Sequence, residues 1–239
     1  TSLRLVVASH REGRLIEFDI FANGSGTFEM QDPSAFLNSA IVGGYAFRFD
    51  GVSATAAMLA AGRFTANGAG TMTAGVEDIN DGGFVSSNVA FTGTYNVTSS
   101  GRGTATVTNP DGPSVFSFYV VSARKLVFVS LDFVPAFLGI VEQQTLPSFS
   151  NASLAGDYAF ASSGYSASGI VYTAGRFTAD GIGAISDGLL DENDTGAASE
   201  NVPFTGTYLI SSNGRGELAV ATEADVADFA FYMVSPDRA

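Results

Sequence analysis

The sequence predicts an all-β fold built from tandem eight-stranded up-and-down β-barrels, and three observations carry that expectation. First, the chain repeats itself: "AGRFTANGAG" (Ala61 to Gly70) returns 113 positions later as "AGRFTADGIG" (Ala174 to Gly183). Second, short alternating runs rich in Val, Phe, Tyr and Thr are separated by Gly, Asn and Asp, the pattern of strands and tight turns. Third, no sustained apolar spacing of three and four marks a helix, and Gly, at 28 residues, recurs too often for one. A repeated β-sandwich is the alternative architecture.

The repeat is gapless. "GGYAF" (43–47) aligns with "GDYAF" (156–160), and "VAFTGTY" (89–95) with "VPFTGTY" (202–208). "SSGRG" (99–103) aligns with "SNGRG" (212–216), and "FYVVS" (118–122) with "FYMVS" (231–235). About 39 of 89 aligned positions are identical, far beyond chance. The same offset places Val7-Ala8-Ser9 on Val120-Val121-Ser122, Glu29 on Glu142 and Gln31 on Gln144. Three segments follow. Residues 1–37 are the closing strands of a preceding repeat, or donor strands. Residues 38–149 form a complete barrel repeat, and 150–239 form a repeat lacking its last two strands. The chain is thus expected to be cut out of phase with its own repeat.

Within the complete copy, eight strands are expected near 43–50, 56–66, 70–78, 88–98, 102–109, 114–122, 125–132 and 138–145. Asn67-Gly68 and Asp180-Gly181 suit a two-residue hairpin needing positive φ. Arg124-Lys125 marks another tight turn, and Ile79 to Ser87 reads as the one longer loop. Short links favour sequential pairing, and closure into a barrel removes exposed edges. Alternation turns Tyr45, Phe47 and Phe49 inward on the first strand, and Phe91, Gly93, Tyr95 and Val97 inward on the fourth. Gly93 between two aromatics suits a bend or a ring lying across the backbone. The sixth and seventh strands are apolar on both faces. Val115, Tyr119, Val121, Val127, Val129 and Leu131 form an outer stripe, suited to a neighbouring repeat or subunit, or to a flattened barrel with a loop over it.

Composition narrows the function classes. Hydrophobic residues make up 46% of the 239, enough for a sizeable core. Trp is absent, so 20 Phe and 8 Tyr supply the bulk. Eleven Lys+Arg stand against 24 Asp+Glu, a formal charge of −13, which disfavours nucleic acid and anionic membrane surfaces as partners. No run approaches the roughly 20 apolar residues of a spanning helix, so membrane insertion is not expected. With no Cys there are no disulfides, thiolate metal sites or cysteine nucleophiles.

The phrases "YAF…G", "AGRFTADG.G", "D.ND.G", "FTGTY" and "GRG" resemble a tandem repeat of ~110 residues found in large secreted or surface proteins of acidobacterial type. That resemblance spans essentially the whole chain. It implies an extracellular or cell-surface location and carries no known activity. The strand order is similar to lipocalin-like and avidin-like (calycin) barrels in shape only. The lipocalin Gly-X-Trp opening is missing, and Gly44-Tyr45 stands in its place.

Few residues invite chemistry. Asp78, Asn80 and Asp81, before Gly83, return as Asp191, Asn193 and Asp194 before Gly196. Carboxylates and an amide oxygen on a Gly-bearing loop are what Ca²⁺ takes, although the spacing is not that of an EF-hand. The same residues also suit a loop whose Asp and Asn side chains accept from nearby backbone amides. No other cofactor is expected. Arg63 and Arg176, and Arg102 and Arg215, suit carboxylate recognition by the guanidinium fork, or a structural pairing within each repeat. His10, the one histidine, sits in "SHREGR" with no nucleophile elbow, so a Ser-His-Asp triad is not supported.

The chain is therefore expected to be non-catalytic: an extracellular structural repeat, a subunit or segment of a filament, sheath or stalk. Copies of itself, head to tail, or adjacent repeats of a longer chain are the expected partners. One end lacks the strands that the other carries, so strand exchange between chains, closure within one chain, or continuation in a longer array would each complete the second barrel. The alternative function is a calycin-like binding module for a small apolar ligand or glycan, which requires an open lumen.

Overall fold

The computed structural model describes residues 3–17 and 24–239. It is all-β, with 70% of the described residues in strands. Strands β1 (Leu3–Val7), β2 (Glu12–Glu17) and β3 (Ser25–Glu29) form a small antiparallel sheet. Two 3₁₀ turns, Pro33–Ala35 and Asn38–Ala40, lead from it. A closed barrel follows, of β4 (Val42–Val52), β5 (Ala57–Asn67), β6 (Thr71–Asp81), β7 (Phe84–Val97), β8 (Arg102–Asn109), β9 (Gly112–Ser122), β10 (Lys125–Ser130) and β11 (Ala136–Gln143). Each strand pairs antiparallel with the next, and β11 closes on β4. After a third 3₁₀ turn, Asn151–Ser153, come β12 (Ala155–Ser166), β13 (Gly169–Asp180), β14 (Ala184–Asp194), β15 (Ala197–Ile210), β16 (Arg215–Ala221) and β17 (Val226–Tyr232). These pair in order as a curled half-barrel, with β12 and β17 at its two edges. The up-and-down barrel expected from short links is therefore the architecture, and the sandwich is not.

Two local expectations are corrected. The segment from Ile79 to Ser87 is no long loop: β6 and β7 continue through it, joined by Gly82 and Gly83, both at positive φ. The turn at Asn67-Gly68 has three residues between strands, with Gly68 and Gly70 at positive φ. Asn67 Oδ1 accepts from the backbone N–H of Ala69 and Thr71, and Asp180 Oδ1 does the same for Ile182, Gly183 and Ala184. The acceptor before the glycine, more than the dipeptide itself, shapes this turn.

The barrel interior is packed with rings. Phe47 stacks on Phe49 at 4.9 Å between centroids, Phe49 on Phe116 at 5.3 Å, and Phe118 on Phe128 at 4.7 Å. Tyr45, Phe64, Phe91 and Phe137 are buried with them. Glycine makes this density possible. Gly62 lies directly across from Phe47, and Gly103 across from Phe118. A Cβ at Gly62 would meet Phe47 Cζ at 2.3 Å, and one at Gly103 would meet Phe118 Cζ at 2.1 Å. Each ring occupies the space of the missing cross-strand side chain. Gly175 with Phe160 and Gly216 with Phe231 repeat the arrangement in the half-barrel. One end is sealed by Tyr95, whose hydroxyl donates to Ile41 O at 2.9 Å and accepts from Gly68 N–H at 3.1 Å. Tyr208 does the same with Leu154 O and Gly181 N–H.

The half-barrel shows what closure supplies. Phe116 is 4% exposed inside the barrel, whereas Phe229, its repeat counterpart, is 50% exposed on β17. The face of β1–β3 is also apolar and open, with Leu5, Val7 and Phe28 exposed. On the outside of the barrel, Val115, Tyr119, Val129 and Leu131 are exposed as the alternation predicts, and Leu138 and Ile140 of β11 extend the stripe.

Candidate functional site

Inward Tyr45 and Phe47 turn Ala46 outward, and the pairing of β4 with β5 and of β5 with β6 sets Ala46, Arg63 and Val76 in one row across the outer wall. Small side chains leave a shallow seat there. Tyr232, at the end of β17, fills it: Tyr232 is buried against Ala46 and Val76, with Ala61 and Val234 packed around them. The half-barrel thus docks on the barrel wall through the end of its last strand.

A polar clamp lies beside this contact. Arg215 Nε donates to Asp78 Oδ2 and Arg215 Nη2 to Asp78 Oδ1, both at 2.8 Å, a bidentate fork. The Tyr232 hydroxyl donates to Asp78 Oδ2, and Ser87 Oγ and Asn88 N–H donate to Oδ1 at 2.8 and 2.9 Å. Arg215 also pairs with Glu217. Arg215 and Tyr232 are cross-strand neighbours, which puts both on one face of the half-barrel. Asn88 sits at φ 55°, a left-handed position that Asn tolerates, and this aims its N–H at the carboxylate. The Asp78 and Arg215 side chains are 9% and 11% exposed. Burial pushes the Asp78 carboxyl up, but the Arg215, Tyr232, Ser87 and Asn88 hydrogen bonds outweigh it and hold the group at about 2. The bond to Asp78 raises Arg215, and burial followed by the same carboxylate raises Tyr232.

The connecting segment completes the junction. Gln144 Nε2 donates to Asn213 O and Met233 O, while Gln144 Oε1 accepts from Arg63. Thr145 N–H donates to Val234 O, and Arg238 pairs with Glu142. Three of these contacts occur twice. One repeat earlier, Gln31 Nε2 donates to Val120 O at 2.7 Å, Asp32 N–H donates to Val121 O, and Lys125 pairs with Glu29. The small N-terminal sheet therefore meets the barrel through the same linker contacts by which the barrel meets the half-barrel.

The residues singled out as a cation loop lie instead on hairpin strands. Asp78 and Asn80 face one side of β6, and Asp81 the other, where its neighbour Ile79 packs on the core. Asp78 is engaged by Arg215. Asn80 and Asn193 each accept from the glycine three residues on, at 2.8 Å. Asp191 accepts from Asn201 N–H at 2.7 Å, and Asp194 from Ser166 and Thr195. Among the described residues, no three His, Cys, Asp or Glu side chains are grouped to hold a metal ion. Arg63 donates to Ala74 O and Gln144, and Arg102 and Arg176 are exposed. His10 is exposed in the turn between β1 and β2. Sequence reasoning missed Tyr232, Gln144 and Ser87 as junction residues. The available signal was Gln31 falling on Gln144 and Tyr119 on Tyr232 at the repeat offset.

Comparison with protein-family models, curated proteins and solved structures gives no match to this chain.

Proposed function

We propose that this chain is a non-catalytic structural repeat protein of the cell exterior, a unit of a filament, sheath or stalk that grows head to tail. The observation that carries the proposal is the set of linker contacts present twice along one chain, with an open half-barrel after the closed barrel and the strands β2–β3 before it. By repeat position, β2 corresponds to β10 and β3 to β11, the two strands that close the barrel between β9 and β4. Leu15 and Phe28 take the places of the inward Phe128 and Val141. Seated between β17 and β12 of another copy, β2–β3 would cover Phe229 and remove both edges. Strand β1 duplicates β17 and is displaced in that arrangement. A lumen filled by stacked rings supports a building role over a ligand-binding one. The same contacts serve repeats within a longer polypeptide.

The exchange is testable by cross-linking, since the chain has no Cys. Val129 faces Ser117 across β10 and β9, so Ile16 of one copy would face Ala230 of the next. A chain carrying Ile16→Cys and Ala230→Cys is expected to form a ladder of disulfide-linked multimers on mild oxidation. Monomers alone, with or without an internal disulfide, would count against exchange between copies.

A further inference from the structure

The clamp that Arg215 and Tyr232 make with Asp78 leaves two unmatched halves on the same chain. Arg102 and Tyr119 are the repeat counterparts of Arg215 and Tyr232, and they form the same cross-strand pair, between β8 and β9. Arg102 is exposed and has no ion pair or side-chain hydrogen bond among the described residues, and Tyr119 is 50% exposed where Tyr232 is 5%. Asp191 is the counterpart of Asp78. It lies opposite Ala174 as Asp78 lies opposite Ala61, and it accepts from Asn201 N–H as Asp78 does from Asn88 N–H. Asn201 holds the same left-handed backbone, at φ 55°. The apolar seat is copied as well: Ala159, Ala174 and Leu189 stand where Ala46, Ala61 and Val76 receive Tyr232, and the two alanines are exposed. Glu200 replaces Ser87, adding negative charge beside Asp191.

We propose that these halves bind each other between copies of this chain: Arg102 and Tyr119 of one molecule grip Asp191 of the next. The arrangement reproduces the internal clamp, with the guanidinium on both carboxylate oxygens, the phenol donating to one of them, and the ring on the alanine seat. Glu200 takes the part of Ser87 as a second acceptor for Arg102. The occupant is a second copy because both the partner charge and the fitted apolar seat are found on this chain. The proposal rests on head-to-tail assembly, and it runs in the same direction. The copy whose β2–β3 would close a half-barrel is the copy whose Arg102 then lies over that half-barrel's Asp191.

Charge exchange tests this in the full chain. Arg102→Asp and Asp191→Arg alter exposed residues and leave the Asp78 clamp intact, so circular dichroism and melting should be unchanged. Each single variant is expected to weaken self-association, read by sedimentation velocity, by about tenfold or more. The double variant carrying both changes is expected to recover most of the loss, which a merely structural role would not produce. Single variants that associate like the parent, or a double variant as weak as the singles, would overturn the clamp. A second full-chain variant, Phe28→Asp, separates this from strand exchange. Loss of association there with none in the charge variants leaves strand exchange standing and removes the clamp. The reverse outcome keeps the clamp and removes strand exchange. A parent chain that stays monomeric at every concentration overturns both.

Discussion

Arg215 holds both carboxylate oxygens of Asp78 from 137 residues away, at 2.8 Å each. Because Asp78 belongs to the closed barrel and Arg215 to the half-barrel, this pair ties two successive repeats together. Removing the carboxylate leaves a largely buried guanidinium and a buried phenol without their acceptor. Asp78→Ala is expected to cost about 3 kcal/mol in chemical denaturation. The same change at exposed Asp191 should stay within about 0.5 kcal/mol for the monomer. Equal effects at the two positions would contradict a buried clamp at one and an open half-site at the other.

Acid should loosen the same junction. Asp78 is held at about 2 in the folded protein, against an ordinary value of 3.8. A depressed carboxyl contributes stability that is fully present above its unfolded value and lost as pH falls through the folded one. The expected window is therefore from about pH 4 down to about pH 2. Hydrogen exchange of the Thr145 amide, which donates to Val234 O across the junction, is the readout over that range. In an Asp78→Asn chain the acid-dependent part of the change should disappear.

The Phe–Gly pairs set the density of the barrel. Gly62→Ala places a methyl 2.3 Å from Phe47 Cζ and 2.6 Å from the backbone oxygen of Val76, which cannot turn aside. A destabilisation of about 1–3 kcal/mol is expected by thermal or chemical unfolding. A neutral result would mean that the ring does not occupy the glycine's space.

Tyr95 seals the barrel end through its hydroxyl rather than its ring alone. Tyr95→Phe leaves Ile41 O and Gly68 N–H without this partner, at an expected cost of about 1–2 kcal/mol. Tyr208→Phe should act the same way on the half-barrel, where Leu154 O and Gly181 N–H lose theirs.

These residues also show what could be read in the sequence. The strands, their order and the inward aromatics follow from alternation, and the repeat offset locates Gly62 and Gly175 or Tyr95 and Tyr208 as matched parts. The hairpin at Gly82 and Gly83 was hidden, because Asp78, Asn80 and Asp81 carry the composition of a loop while pairing as a strand. Their polar side chains are satisfied by turn amides and by a guanidinium far along the chain. The Asp78–Arg215 contact was not legible either. Both residues recur in each repeat, so they look like parts of a single unit, yet the bond joins one repeat to the next. Periodicity identifies matched positions but not which copy each one reaches.

Sedimentation velocity over a wide concentration series, with negative-stain microscopy of the most concentrated sample, reads out whether copies of this chain join head to tail. Head-to-tail assembly gives a progression from monomer to longer linear species, with end-to-end particles in the images. A single sharp monomer boundary at every concentration, with isolated compact particles, would rule such assembly out.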